Sequence, residues 1–140
     1  MTVLNIGSAT HSIKGRVDLK VLVVDDDPFE VEVITALLEK LGVRDITKAV
    51  GGDAALRLLK PRPAAFDLLL TDLHMPEMDG FEFMAEAAKA GFKGALIIVS
   101  GQTEEVRHGA GLVAQLRQFN FLGTLKKPVT KEALSRLIPL

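Results

Sequence analysis

From residue 19 onward the apolar positions alternate between two patterns, short continuous runs and longer one-sided stripes. Val21–Val24, Leu68–Leu70 and Leu96–Val99 are unbroken apolar runs, as expected of strands buried on both faces. They predict strands over Lys20–Asp25, Phe66–Asp72 and Ala95–Ser100, with two weaker strands over Asp45–Val50 and Phe121–Lys126. Between them lie stripes at helical spacing: Phe29, Val33, Ile34, Leu37, Leu38 and Leu41; Ala55, Leu58 and Leu59; Phe81, Met84 and Ala88; Leu112, Val113, Leu116 and Phe119; and Ala133, Leu134, Leu137 and Ile138. Gly42 and Gly91 stand where helices end, and Pro61 and Pro63 stop the second helix. Five strand–helix units in series predict a doubly wound α/β domain, a five-stranded parallel sheet with helices on both faces. Residues 1–18 lack periodicity and read as a flexible leader, leaving 19–140 as the domain.

Composition narrows the function. With 140 residues, 48% of them apolar, the chain suits one domain with one core. A net charge of −1 without a basic run disfavours direct nucleic-acid binding. The absence of Cys excludes disulfides, thiol catalysis and thiolate metal sites. No apolar run approaches membrane-spanning length, and Met1–Ser12 has no signal-like pattern, so the expectation is a cytoplasmic protein with no membrane partner.

The polar residues that break this pattern all fall at predicted strand ends. Asp25 and Asp26 follow the first strand, Asp72 ends the third, Ser100 ends the fourth and Lys127 follows the fifth. Ligands of open α/β sheets gather outside the carboxyl ends of the strands, so these residues converge on one cleft. Neighbouring carboxylates repel by about 4 kcal/mol at 4 Å and an effective dielectric near 20. Three acids together therefore call for a cation, and an oxygen-only donor set with retained waters selects Mg²⁺. Asp72 can act as a carboxylate nucleophile, while Ser100 and Lys127 offer a neutral donor and a cation to phosphoryl oxygens. Asp27 before Pro28, and Asp79 before Gly80, read as helix caps. His11 and His108 read as surface residues; His74 stands two residues after Asp72 at the cleft mouth.

With these residues in order, the segments VLVVDDDP, LTDLHMPEMDG, IIVSGQ and KKP resemble the receiver domain of two-component response regulators. The resemblance runs from Lys20 to about Ile138 and implies a flavodoxin-like sheet of order 2-1-3-4-5. It implies that Asp72 accepts a phosphoryl group from a sensor histidine kinase or histidine phosphotransfer protein. Asp26, Asp72 and the backbone carbonyl of His74 would hold Mg²⁺, with Asp25 acting through water. Ser100 and Lys127 would bind the phosphoryl oxygens, and the Lys127–Pro128 peptide would be cis. His74 and Gln102 would flank the phosphoryl group and modulate its lifetime.

Two positions depart from the family pattern. Thr124 stands three residues before Lys127, where receivers often carry a switching aromatic, so the signal would leave through Ser100, its loop and the fourth helix. The interval from Ser100 to Lys127 is long, and residues 100–128 are similar to receivers that precede cyclic-di-GMP phosphodiesterase domains. An output domain or downstream protein, and self-association as a homodimer through the fourth-helix face, are the implied partners. Two other readings compete. A pseudo-receiver would bind partners without phosphorylation. A phosphatase of the haloacid dehalogenase type uses similar residues, but its acidic pair comes last in the chain, whereas Asp25 and Asp26 come first.

Overall fold

The structure is a computed structural model describing residues 15–138. Five parallel strands, β1 (Lys20–Asp25), β2 (Asp45–Val50), β3 (Leu68–Asp72), β4 (Ala95–Ser100) and β5 (Asn120–Lys126), form one sheet of order β2-β1-β3-β4-β5. Five helices connect them: α1 (Pro28–Lys40), α2 (Gly52–Leu59), α3 (Gly80–Lys89), α4 (Glu104–Leu116) and α5 (Lys131–Leu137). The expected strand positions hold to within two residues at their ends. Strand β3 is buried at every position, which explains why it reads as a continuous apolar run. Each strand side carries its own core: Leu22, Leu69, Leu96 and Ile98 face α2, α3 and α4 residues, while Val21, Val23, Leu70, Ile97 and Val99 pack with α1 and α5.

The helix ends obey local chemistry. Asp27 caps α1, its carboxylate accepting from the Phe29 N–H at 2.9 Å with Pro28 in the first turn. Asp79, Thr103 and Thr130 cap α3, α4 and α5 in the same manner. Gly42 and Gly91 take left-handed φ values of +95° and +100° just past α1 and α3, a conformation that costs glycine nothing.

The helix faces differ from the sequence expectation. On α1 the inward residues are Val31, Ile34, Thr35 and Leu38, while Phe29 is 71% exposed. On α2 Leu56 turns in and Leu58 out; on α3 Phe83 replaces Phe81 as the inward aromatic. On α4 the inward residues are Ala110, Gly111 and Ala114, and Leu112 and Leu116 face outward. The cause on α4 is close approach: a Cβ on Gly111 would come within 2.8 Å of the Phe121 ring, so only small residues fit that face. Elsewhere a surface Leu or Phe is common, and two apolar stripes one residue apart cannot be ranked by spacing alone.

At the described start of the chain, Gly15–Asp18 closes a turn and the Arg16 guanidinium donates to the Ser135 carbonyl and hydroxyl, both at 3.1 Å. This ties the last part of the expected leader to α5; residues 1–14, including His11, lie outside the described residues.

Candidate functional site

The site forms where β1, β3, β4 and β5 end together. Asp25 is the last residue of β1, Asp72 of β3 and Ser100 of β4, and each is buried. Because strands carry their end residues on a hydrogen-bonded sheet, these side chains are placed by the register: Val24 pairs with Thr71, Asp72 with Val99, and Ser100 with Lys126. One residue beyond β5, Lys127 is tied back by its N–H to the Ser100 carbonyl at 3.0 Å, and the Lys127–Pro128 peptide is cis.

Carboxylate oxygens of Asp25, Asp26 and Asp72 lie within 4.8 Å of one another. The Lys127 ammonium donates to Asp25 at 3.0 Å and pairs with Asp72 at 3.5 Å. The Asp27 N–H donates to the other Asp25 oxygen at 3.0 Å, and the His74 backbone N–H favours the charged form of Asp72. Burial pushes the Asp25 carboxyl up from the usual carboxylate range, outweighing the Asp27 N–H and Lys127. Burial also pushes Asp72 up, and the charge of Asp25 adds to it against the pull of Lys127. Burial acts against the Lys127 charge, but its bond to Asp25 and the charges of Asp72, Asp25 and Glu30 hold the ammonium above the ordinary lysine value. Both carboxyls are raised despite an ion-pair partner because the cost of burial outweighs the pull of the single cation they share. Three acids against one ammonium leave an excess of negative charge lined only by oxygen donors, a set that fits a hard divalent cation.

The loop after β3 closes over this pocket. The Gly80 N–H donates to the Leu73 carbonyl at 2.8 Å, and a Cβ at Gly80 would sit 2.6 Å from the Leu73 Cα and 2.7 Å from the Asp72 carbonyl oxygen. Any side chain there would push the loop off the strand end. Beside the acids, a groove of about 410 Å³ is lined by Asp26, Gly51, Arg57, Met75 and Met78, among others.

The remaining sequence-derived candidates fall around this centre. His74 follows Asp72 by two residues with its side chain exposed; Gln102 is exposed, its N–H donating to the Ser100 hydroxyl oxygen at 2.9 Å. Thr124 lies half-buried on β5, paired with Ile98 and bordering a hollow between α4 and β5. His108 is exposed on α4, as its spacing suggested. Two contributors were not singled out in the sequence. Glu30 supplies a further negative charge near Lys127; its place three residues after the Asp27 cap, a capping-box spacing, was the available signal. Arg107 donates to the Gln102 carbonyl, and a contact to main chain leaves no sequence signal.

A sequence model of the response regulator receiver domain matches residues 21–138. The cyclic di-GMP phosphodiesterase RocR of Pseudomonas aeruginosa is 31% identical over 121 residues, covering 86% of this chain and 31% of that protein. The chain thus spans less than a third of that relative, and 18% of the Arabidopsis thaliana two-component response regulator ARR11, which is 34% identical over 94 residues. Among solved structures, a response regulator receiver domain protein from Clostridium thermocellum superposes with a TM-score of 0.70 at 28% identity, covering 84% of this chain and 88% of the other. The Mg²⁺ complex of the receiver domain of the Arabidopsis histidine kinase CKI1 gives 0.68 at 27% identity, covering 87% and 94%. Among the described residues no helix is long and apolar enough to cross a membrane. Sheet order, strand-end acids and family match agree: the chain belongs to the response regulator receiver family, a signalling domain of two-component systems.

Proposed function

We propose that this receiver, occupying residues 19–140, accepts a phosphoryl group on Asp72 from a phosphohistidine of a sensor kinase or phosphotransfer protein. The observation that carries the reading is the shared Lys127 ammonium, bonded to Asp25 and paired with Asp72 within a cluster of three acids. In the transfer, an Asp72 carboxylate oxygen forms the bond to phosphorus, the phosphorus–nitrogen bond breaks, and the departing imidazole keeps that electron pair and takes up a proton. Lys127 moves its charge from the bare carboxylate toward a phosphoryl oxygen, and the Ser100 hydroxyl donates to another. Asp26, Asp72 and the His74 carbonyl would hold Mg²⁺, with Asp25 through water. The ion offsets the negative charge of the phosphoryl oxygens when bound. His74 and Gln102 flank the group and set how readily water reaches it.

The added charge at Asp72 biases the β4–α4 loop and α4 rather than turning over an external substrate. The similarity to RocR supports a cytoplasmic receiver coupled to a cyclic-di-GMP phosphodiesterase output domain or a similar downstream protein. The outward Leu112 and Leu116 support self-association through α4.

Intact-mass spectrometry after incubation with acetyl phosphate and Mg²⁺ tests the reading. A phosphoryl adduct on the wild type, absent without Mg²⁺ and absent in Asp72→Asn, is expected. An adduct that persists in Asp72→Asn places the acceptor elsewhere. Mg²⁺ binding and phosphoryl uptake both absent, even with phosphohistidine donors, would make the domain a phosphorylation-independent binding module.

A further inference from the structure

Beside the acidic pocket, the β3–α3 loop is held by two methionines of unequal exposure. The bond from the Gly80 N–H to the Leu73 carbonyl closes residues 74–79 into a bulge that includes the His74 carbonyl. Within it Met75 is 4% exposed, and the half-buried Met78 packs against the same core cluster. The Met78 sulfur rests on the first residue of α2, where a Cβ on Gly52 would come within 2.8 Å of it. The glycine is what lets the thioether seat there. Met78 therefore joins the loop after the third strand to the helix after the second.

The same side chain is open to water, because Met78 forms part of the wall of the groove of about 410 Å³ beside Asp26. Met84, on α3, is fully buried. A thioether that reaches such a groove is open to oxidation by peroxides. Its sulfur attacks one oxygen of hydrogen peroxide, the O–O bond breaks and a sulfur–oxygen bond forms. The other oxygen leaves as water with both peroxide protons; the sulfur is oxidised and the peroxide reduced. The sulfoxide is polar, and burying it without a hydrogen bond is costly, so the side chain leaves Gly52 for the groove. Gly80 fixes the end of the bulge, since a Cβ there would strike the Asp72 carbonyl and Leu73. The displacement therefore falls on residues 74–79.

We propose that Met78 is a site of reversible oxidation that sets how firmly the β3–α3 loop presents the His74 carbonyl to a divalent cation. As the thioether it is a positioning residue, seated on Gly52 and steadying the bulge; as the sulfoxide it lets go, and metal binding weakens. This rests on the Mg²⁺ reading of the acidic pocket and adds its regulation. The coupling is reciprocal: a bound cation that orders the bulge holds Met78 on Gly52 and slows its oxidation.

The test treats the full chain with hydrogen peroxide in chelator, locates the added oxygen by peptide mass mapping and then titrates Mg²⁺ by calorimetry. Met78 is expected to take up oxygen before Met75 and Met84. Mg²⁺ affinity should fall roughly tenfold, the low end for losing a group that orients a metal ligand, and the amides of residues 74–79 should exchange faster in the metal-free protein. Methionine sulfoxide reductase should restore both. Met78→Leu keeps an apolar side chain without the sulfur, so it should bind Mg²⁺ like the untreated wild type and ignore peroxide. Met1 is present in both proteins, so its oxidation drops out of the comparison. Met78→Gln, permanently polar, should bind Mg²⁺ weakly without any peroxide. Oxidation of Met78 that leaves Mg²⁺ affinity unchanged overturns the proposal, as does an equal loss on treating Met78→Leu. An untreated wild type that binds no Mg²⁺ overturns the metal reading itself, and that failure is distinct because it appears before any oxidation.

Discussion

Strand β3 and helix α4 both approach the acidic pocket, yet they are held in opposite ways. Every residue of β3 is buried, with Leu68, Leu69 and Leu70 packed into the cores on both sides of the sheet. Helix α4 meets the sheet through Ala110, Gly111 and Ala114 and turns Leu112 and Leu116 to solvent. A fully buried Leu contributes about 1.5–3 kcal/mol through burial, whereas an Ala offers much less apolar area. Asp72, the proposed acceptor, thus sits on a firmly packed strand, and the helix proposed to respond is the more weakly anchored of the two. A switch needs that inequality, because a charge change of modest energy can only move what is loosely held.

The contrast can be broken most directly in the cores. Leu70→Ala should cost about 3 kcal/mol by loss of burial and the cavity left behind, whereas Leu116→Ala, at 84% exposure, should stay within about 0.5 kcal/mol. Urea unfolding of the two variants compares the elements; similar losses would show that α4 is anchored as firmly as β3.

A smaller effect is expected at the charged end of β3. Lys127→Ala leaves Asp25 and Asp72 buried together without their ammonium, and should destabilise the metal-free fold by about 2 kcal/mol, since unpaired buried charge is costly. Adding Mg²⁺ should recover much of that loss in a thermal melt. If Mg²⁺ stabilised the variant no more than the wild type, the ion would not be compensating the same charges.

The smallest effect has the opposite sign. Asp25 and Asp72 hold protons more tightly folded than unfolded, so the native state binds more protons between the ordinary carboxylate value of 3.8 and their raised values. Stability from these groups therefore falls as pH rises through that window. Lys127, raised above 10.5, loses its contribution only in alkaline solution. Asp72→Asn should flatten the acidic slope and stabilise the metal-free protein at neutral pH by about 1 kcal/mol. Melting across pH 4 to 8 in chelator checks this; a variant less stable than the wild type at pH 7 would show that pairing with Lys127 outweighs burial of Asp72.

The same two elements mark how much could be read from the chain beforehand. A strand buried on both faces has to be apolar throughout and can change character only at its end, so Asp25, Asp72 and Ser100 announce both their strands and their cleft. A helix face has no such constraint. On α4 the inward residues are small because Phe121, on the next strand, presses against Gly111, and a stripe of large apolar residues consequently points the wrong way. Phe29 and Phe81 mislead for a simpler reason: each lies in the first turn of its helix, where the chain has only begun to settle on the sheet. The Arg107–Gln102 contact was invisible because its acceptor is a carbonyl that every residue possesses.

Gly80 sets a rule for redesign. Because a methyl group at this one position would strike the backbone of Asp72 and Leu73, the route taken by the β3–α3 loop is constrained more tightly than its neighbouring side chains. Exposed side chains of the loop such as Glu77 meet no such constraint. A graft that moves the glycine by even one place would have to find Asp72, the proposed acceptor, a new roof.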